Sequence, residues 1–534
     1  MIHRLVRGLL FGLVCALAAL PSARAESVLR VAMTVSDVPL TTGNPDQGAE
    51  GMLMVGYNLY DALVNWDLSR ADVVAPLTPG LATEWHVDPA DNKKWIFALR
   101  QGVRFHDGST FDADAVVWNF DKILNDKSPQ YDAKQAGQAR GRIPTVAGYR
   151  KLDDKTIEIA TSVPDAFLPY QITWILFSSP AQYETLGRSW EKFASEPSGT
   201  GPWKAVKFAP RERLEMAPNP NYWDPKRVPK LDRLIVIPVP EASARTAALR
   251  SGQVDWIEAP APDAIPSLRQ AGFEITTNAY PHVWAYDFSK IEGSPFADLR
   301  VRKAANLGVN REGLKQLLGG LALPAKGMVT QNSPWFGTPS FDVKYDPDTA
   351  RALMKEAGYG PDKPLAVTVV MAANGSGQMQ PQPMNEYIQE NLAAVGFKVE
   401  LEAVDWSNML SRWRSGARAE VNKGVGAVQT NMIVQDPFTA IVRFADSRLV
   451  APKGVNFGEF KDPEADALID RARLTFDIPE QNRLLGQIHA RLVDQAAFLF
   501  VVHDVSPRAI SPKVKDYVQA QSWYQDFTRI RMAP

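Results

Sequence analysis

The sequence predicts an α/β protein built as more than one lobe, and three observations carry that reading. Strand-like and helix-like periodicities alternate along the chain. Its 534 residues exceed what a single core usually holds. Its composition, 45% hydrophobic and 22% charged with net charge −1, is that of a soluble globular chain. These figures exclude disordered, collagen-like, disulfide-stapled and multi-pass membrane classes. Near-neutral charge also speaks against a nucleic-acid binder, which carries a basic excess.

The first 25 residues read as a cleavable export signal. Arg4 and Arg7 precede an apolar run from Leu9 to Leu20, and Ala23-Arg24-Ala25 supplies small residues for cleavage before Glu26. The run is shorter than the roughly 20 residues a membrane span needs. Cleavage leaves 56 basic against 60 acidic residues, net −4, and removes the single cysteine, Cys15. A lipid anchor on Cys15 is disfavoured by the poor match of Gly12-Leu13-Val14 to a lipobox. Neither disulfides nor a cysteine nucleophile are then expected.

In chain order, Leu29, Val31, Met33 and Val35 alternate as a strand, as do Trp95, Phe97 and Leu99. Segments 234–239 and 367–371 are apolar on both faces, as buried strands are. Asp346-Pro347 opens a helix with the stripe Ala350, Leu353, Met354 and Ala357, and Gly358 closes it. Tyr387, Ile388, Leu392 and Val395 line a second helix ending at Gly396, before a strand through Phe397, Val399 and Leu401. Pro479 opens a third helix through Leu484, Leu485, Ile488 and Leu492. Ligands of open α/β sheets lie beyond the carboxyl ends of strands. That rule nominates Ser36, Asp37, residues 374–378, Thr430, Asn431 and Met432.

Catalytic signatures are missing from the sequence. It has no phosphate loop, HExxH, GxSxG or CxxC. Gly424-Val425-Gly426 starts like a dinucleotide fingerprint, but Gln429 replaces its third glycine. The six histidines are dispersed, so no metal site and no cofactor are expected.

One ordered set of motifs is specific. Pro76-Leu77-Thr78-Pro79-Gly80-Leu81-Ala82 leads to Trp85, and Gly102-Val103-Arg104-Phe105-His106-Asp107-Gly108 to Phe111-Asp112-Ala113. Gly199-Thr200-Gly201-Pro202-Trp203, Asn219-Pro220-Asn221-Tyr222-Trp223 and the segments 248–255, 295–304 and 345–347 follow. Together they resemble the oligopeptide/dipeptide-binding class (family 5) of extracytoplasmic solute receptors for ABC importers.

The resemblance implies a periplasmic-binding-protein fold of type II, with two lobes closing over a ligand. Lobe I would span 26–282 with an extra subdomain at about 53–200, lobe II 283–500, and 501–534 would return to lobe I. The crossings would lie near 278–284 and 500–504 and carry the hinge motion. The implied role is non-enzymatic: a periplasmic, monomeric receptor passing a small solute to a permease and its ATPases. His106-Asp107-Gly108 reads as a turn, and Gly199 to Pro202 as a turn using positive φ.

Peptide-binding relatives carry an Asp for the peptide amine where this sequence has Ile433, and a Trp where it has Thr430, in Gln429-Thr430-Asn431-Met432-Ile433-Val434-Gln435-Asp436-Pro437. A buried ammonium without a carboxylate is costly, so a free-amine peptide is disfavoured unless Asp37 or Asp436 supplies the charge. Trp406, Trp284 and Tyr286 are the expected aromatic platforms, with Thr430 and Asn431 as neutral partners. Arg412 and Arg414 read as solvated helix positions, with contact to an anion as the alternative. Candidate solutes are a peptide, an opine-like conjugate, a sugar or an organic acid. A metal-chelate receptor using His282 or His503 is the alternative, and a secreted hydrolase is disfavoured for want of a nucleophile.

Overall fold

The computed structural model describes residues 26–35, 37–38, 51–375 and 379–533. The export signal with Cys15, Ser36 and residues 376–378 lie outside the described residues. Among the described residues no helix is long and apolar enough to cross a membrane.

The chain opens with β1 (Val28–Met33), then an antiparallel group of β2 (Ala82–Asp88), β3 (Asp91–Leu99), β4 (Val146–Asp153) and β5 (Thr156–Thr161). Next come β6 (Trp203–Ala209), β7 (Arg213–Pro218), β8 (Arg233–Pro238), β9 (Trp256–Glu258) and β10 (Glu274–Thr276). Later strands of the main sheets are β11 (His282–Phe288), β12 (Ala322–Pro324), β13 (Leu365–Ala372), β14 (Phe397–Val404), β15 (Val425–Ile433), β16 (Phe498–Asp504) and β17 (Arg508–Ile510).

Three sheets organise these strands. Lobe I has the order β10-β17-β9-β1-β8-β7-β6, so both chain ends contribute to it. The extra subdomain is the sheet β2-β3-β5-β4, and lobe II is β12-β16-β11-β15-β13-β14. β1 is central and pairs in parallel with β8 and β9. Its alternating Leu29, Val31 and Met33 are fully buried. In lobe II, β15 runs parallel to β13 and antiparallel to β11.

Helix punctuation follows local chemistry. Asp346 caps α1 (Pro347–Glu356) by accepting the Thr349 N–H at 3.1 Å, and Gly358 leaves it at φ 90°. Such a cap stabilises by about 1 kcal/mol. Asp405 caps α2 (Trp406–Ser415) through the Asn408 N–H in the same way. α3 (Pro463–Arg473) and α4 (Ile478–Asp494) cover the face of the lobe II sheet that carries Val283, Ala285 and Met432.

Two details depart from the sequence expectation. Gly199 and Gly201 are not at positive φ. They are required by close approach, since a Cβ would stand 2.1 Å from the Leu59 carbonyl oxygen or 2.5 Å from its carbon. The His106 ring holds this turn, with Nε2 3.0 Å from the Gly201 carbonyl oxygen. The second departure is the return crossing. Residues 500–504 stay in β16, because His503 and Asp504 still pair with β12. The chain therefore changes lobe at 277–281 and 505–507, and the two crossings touch where the Asn278 N–H donates to the Val505 carbonyl at 3.0 Å.

The lobes meet directly. Gln435 of lobe II donates Nε2 to Ser522 Oγ at 3.0 Å and accepts the Trp523 N–H at 2.9 Å. From the subdomain, the Ala166 N–H donates to the Arg473 carbonyl at 2.9 Å, and Phe167 packs into the lobe II core.

Candidate ligand-binding site

The end of β15 delivers residues to the junction between lobes. This strand is buried throughout, polar residues included. Periodicity could not reveal that, because Gln429, Thr430 and Asn431 interrupt the apolar pattern of a doubly covered strand. In register, Ile433 faces His282 and Asn431 faces Trp284. The Ile433 side chain belongs to the apolar cluster of lobe I, which also holds Trp174, Tyr280, Trp523 and Tyr524.

Two arginines, one from lobe II and one from the subdomain, reach this junction with unpartnered nitrogens. In lobe II, Asp436-Pro437 starts the helical segment Phe438–Val442, with Asp436 Oδ1 accepting the Phe438 and Thr439 N–H groups at 2.9 Å. Its Oδ2 accepts the Thr439 hydroxyl at 2.6 Å. One turn further, Arg443 is 4% exposed and donates Nη2 to the Ile433 carbonyl at 3.2 Å, while its Nε has no hydrogen-bond partner. From the subdomain, the Arg142 guanidinium lies 3.7 Å from the centre of the Trp174 ring, and its enclosed Nη1 is likewise unpartnered. Trp174 in turn packs beside Trp523 and Tyr524, at 6.1 and 5.7 Å between ring centres.

Electrostatics at this junction are unbalanced. Burial pushes the Arg443 guanidinium well below its ordinary range, and Arg142 and Arg414 push it further while Asp436 opposes. Burial also lowers Arg142, to about 10, despite Tyr524 and Asp436. Burial raises the Asp436 carboxyl, against the hydrogen bonds from Thr439 and the attraction of Arg443. Arg443 and Arg142 therefore share one carboxylate whose own charge is disfavoured. Other polar atoms nearby are also unmatched. Both amide atoms of Asn431 and the Nδ1 of His282 are enclosed without a partner. Burial holds His282 neutral by lowering it to about 3.

The remaining sequence-nominated residues divide. Thr430 and Met432 are buried, and Met432 belongs to the face covered by α2 and α4. Trp284 and Tyr286 are wholly buried on the opposite face, and the Tyr286 hydroxyl donates to Asn385 Oδ1 at 2.6 Å. That bond commits Tyr286 to the interior of lobe II. Trp406 sits at the start of α2, 9% exposed, with Nε1 unpartnered. Asp37 is drawn elsewhere: its Oδ1 accepts the Val38 and Arg211 N–H groups and its Oδ2 lies 3.9 Å from Arg211 Nε. Arg412 is buried rather than solvated, bonded to Glu402 and Asn422, because α2 turns it inward. His282 and His503 are not gathered with further ligands; among the described residues no group of three His, Cys, Asp or Glu is placed to hold a metal.

Strand-end loops do converge at an opening beside the crossings. Thr34 after β1 and Met379 and Gln380 after β13 line one pocket with Tyr280, Asp504 and Arg508. Sequence reasoning missed Arg142 and Arg443. Arg443 had a visible signal, a lone cation inside the apolar run Phe438 to Ala445; Arg142 had none.

The family model for bacterial extracellular solute-binding proteins, family 5, matches residues 76–440. The chain belongs to that family. Di/tripeptide-binding protein 2 of Pseudomonas aeruginosa is 26% identical over 497 residues, covering 89% of each chain. The dipeptide-binding protein of Escherichia coli is 27% identical over 477 residues, covering 86% of each. In fold, the chain resembles the periplasmic binding protein DppA from Helicobacter pylori in complex with peptide STSA, with a TM-score of 0.83 and 20% identity over 95% of this chain and 99% of that one. Family 5 chains are binding proteins, and their two-lobed α/β architecture is the one seen here.

Proposed function

We propose that this chain is a periplasmic receptor that captures a small organic solute between its lobes and passes it to the permease and ATPases of an ABC-type importer, with no chemistry of its own. One observation carries the reading: donors and acceptors from both lobes are enclosed around Ile433 without partners of their own. Buried polar groups are normally satisfied, so unmatched guanidinium, amide and imidazole nitrogens where two lobes meet fit a solute that completes them. The kinship with di- and tripeptide-binding proteins supports a peptide-sized solute, and the permease as partner. Ile433 in place of a carboxylate separates this chain from receptors that hold a free amine at that position.

Scattering and mass spectrometry test the reading together. Protein stripped of solute by unfolding and refolding should have a larger radius of gyration than protein as isolated, and the denatured supernatant should contain a stoichiometric small molecule. Equal radii with no released molecule would reject the receptor reading.

A further inference from the structure

The charge imbalance at Ile433 identifies what the solute must bring. We propose that the solute is an organic acid, whose carboxylate bridges Arg142 of the subdomain and Arg443 of lobe II, and that no charged amine is held at Ile433. This rests on the receptor reading and narrows it to a chemical class.

The argument is one of unpaired charge. An isolated buried cation is unfavourable by several kcal/mol unless a counter-charge with good hydrogen bonds reaches it. Asp436 is turned to its own helix start, its Oδ1 accepting two backbone N–H groups and its Oδ2 the Thr439 hydroxyl, and among the described residues neither arginine donates a hydrogen bond to it. The donors left over are Arg443 Nε and Arg142 Nη1, one from each side of the junction. Guanidinium donors in that arrangement suit the two oxygens of a carboxylate. The stacking of Arg142 on Trp174 fixes its plane without using its hydrogen bonds. Asn431, with both amide atoms free, supplies one donor and one acceptor for a neutral polar part of the same molecule. Where an ammonium would need a carboxylate, the strand offers the apolar Ile433 instead.

Calorimetric titration of the stripped mature chain with four probes decides the matter: N-acetyl-dialanine, its C-terminal amide, free dialanine and inorganic phosphate. The acetylated acid should bind, and its amide should bind roughly thirtyfold or more weakly. Arg443→Gln and Arg142→Gln should each weaken the acid by about the same factor and leave the amide unchanged. Circular dichroism verifies folding, and Arg142→Gln, in the subdomain, covers the case in which Arg443→Gln fails to fold. Equal affinity for acid and amide, undiminished binding in both variants, or no binding of the acid overturns the assignment. Tighter binding of free dialanine than of its acetylated form restores the amine and also overturns it. Phosphate competing at equal affinity reassigns the oxyanion and removes the carboxylate. Failure of the broader reading is separate: acid bound at the arginines with no change in radius of gyration keeps the acid site and rejects capture by closure.

Discussion

Two arginine clusters sit at the lobe junction, and they differ in one respect. Arg473 of α3 donates Nη1 to Asp165 Oδ2 at 2.8 Å and Nη2 to Asp446 Oδ2 at 3.5 Å, with all three side chains at most 5% exposed. Asp165 is further satisfied by the Thr145 hydroxyl at 2.6 Å and by Gln171 Nε2 at 3.1 Å. The charges of this junction are paired, although Gln171 Oε1 is enclosed without a partner. Around Ile433, Arg142 and Arg443 cross the same boundary with no dedicated carboxylate. The first cluster is a latch between subdomain and lobe II, and the second is a half-built contact that a solute finishes. The same residue type thus serves closure in one place and recognition in the other.

The largest effect should come from breaking the latch. Arg473→Gln strands the buried Asp165 carboxylate, while Asp446 keeps its pair with Arg448 at 2.7 Å, a change that costs about 3–5 kcal/mol. Opening the lobes lets water reach Asp165, so the loss should appear as a larger radius of gyration in solute-free protein. An unchanged radius would mean the latch does not hold the lobes together.

Asp504 lies between the two extremes. The Ser506 N–H donates to it at 2.6 Å, but the nearby Arg508 is already bridged to Glu258 at 3.3 Å. Burial therefore raises its carboxyl from 3.8 to about 6. The folded state then keeps a proton that the unfolded chain has lost. The stabilisation from protonated Asp504 is complete below about pH 4 and disappears as pH rises to about 6, a span worth about 3 kcal/mol. Asp504→Asn should remove that decline, so the unfolding free energies of variant and parent should diverge between pH 4 and 7. Parallel pH profiles would show that Asp504 is charged throughout.

Arg443 gives the reverse of the latch. Replacing an unpaired buried cation with Met relieves desolvation and should stabilise solute-free protein by about 1–3 kcal/mol in urea unfolding. A loss as large as that of Arg473→Gln would erase the distinction between the clusters.

Much of the fold was legible because its signals are local. The stripe at Ala350 and Met354, the cap at Asp346 and the alternation at Leu29, Val31 and Met33 each need only neighbouring residues. The placement of Ile433 opposite the relatives' carboxylate is an expectation of the resemblance, anchored on Asp436-Pro437. Its consequence was not legible. A neutral pocket follows from Ile433 if only strand neighbours are considered, whereas Arg142 reaches the site from almost 300 positions away and through a different sheet. Likewise, the fates of Trp284 and Tyr286 depended on which face of β11 the helices cover, and the alternation of a doubly buried strand does not encode that choice.

The smallest expected effect is at Asp37, and it tests whether a carboxylate from lobe I replaces the one missing at Ile433. Asp37 is 39% exposed at its side chain and faces Arg211, which is 86% exposed. Such a pair contributes about 0–1 kcal/mol, because water screens it and two side chains must be ordered. Asn at this position keeps an oxygen able to accept the Val38 and Arg211 N–H groups, so only the 3.9 Å ion pair is lost. Asp37→Asn should therefore leave urea stability within about 0.5 kcal/mol and leave acetyl-dialanine affinity unchanged. A receptor that used Asp37 for an ammonium would behave differently, losing affinity for free dialanine by several kcal/mol while keeping its stability. The two readouts together separate a surface ion pair from a ligand contact: unchanged affinity for both probes keeps recognition with the arginines at Ile433, and a selective loss for free dialanine moves it to lobe I.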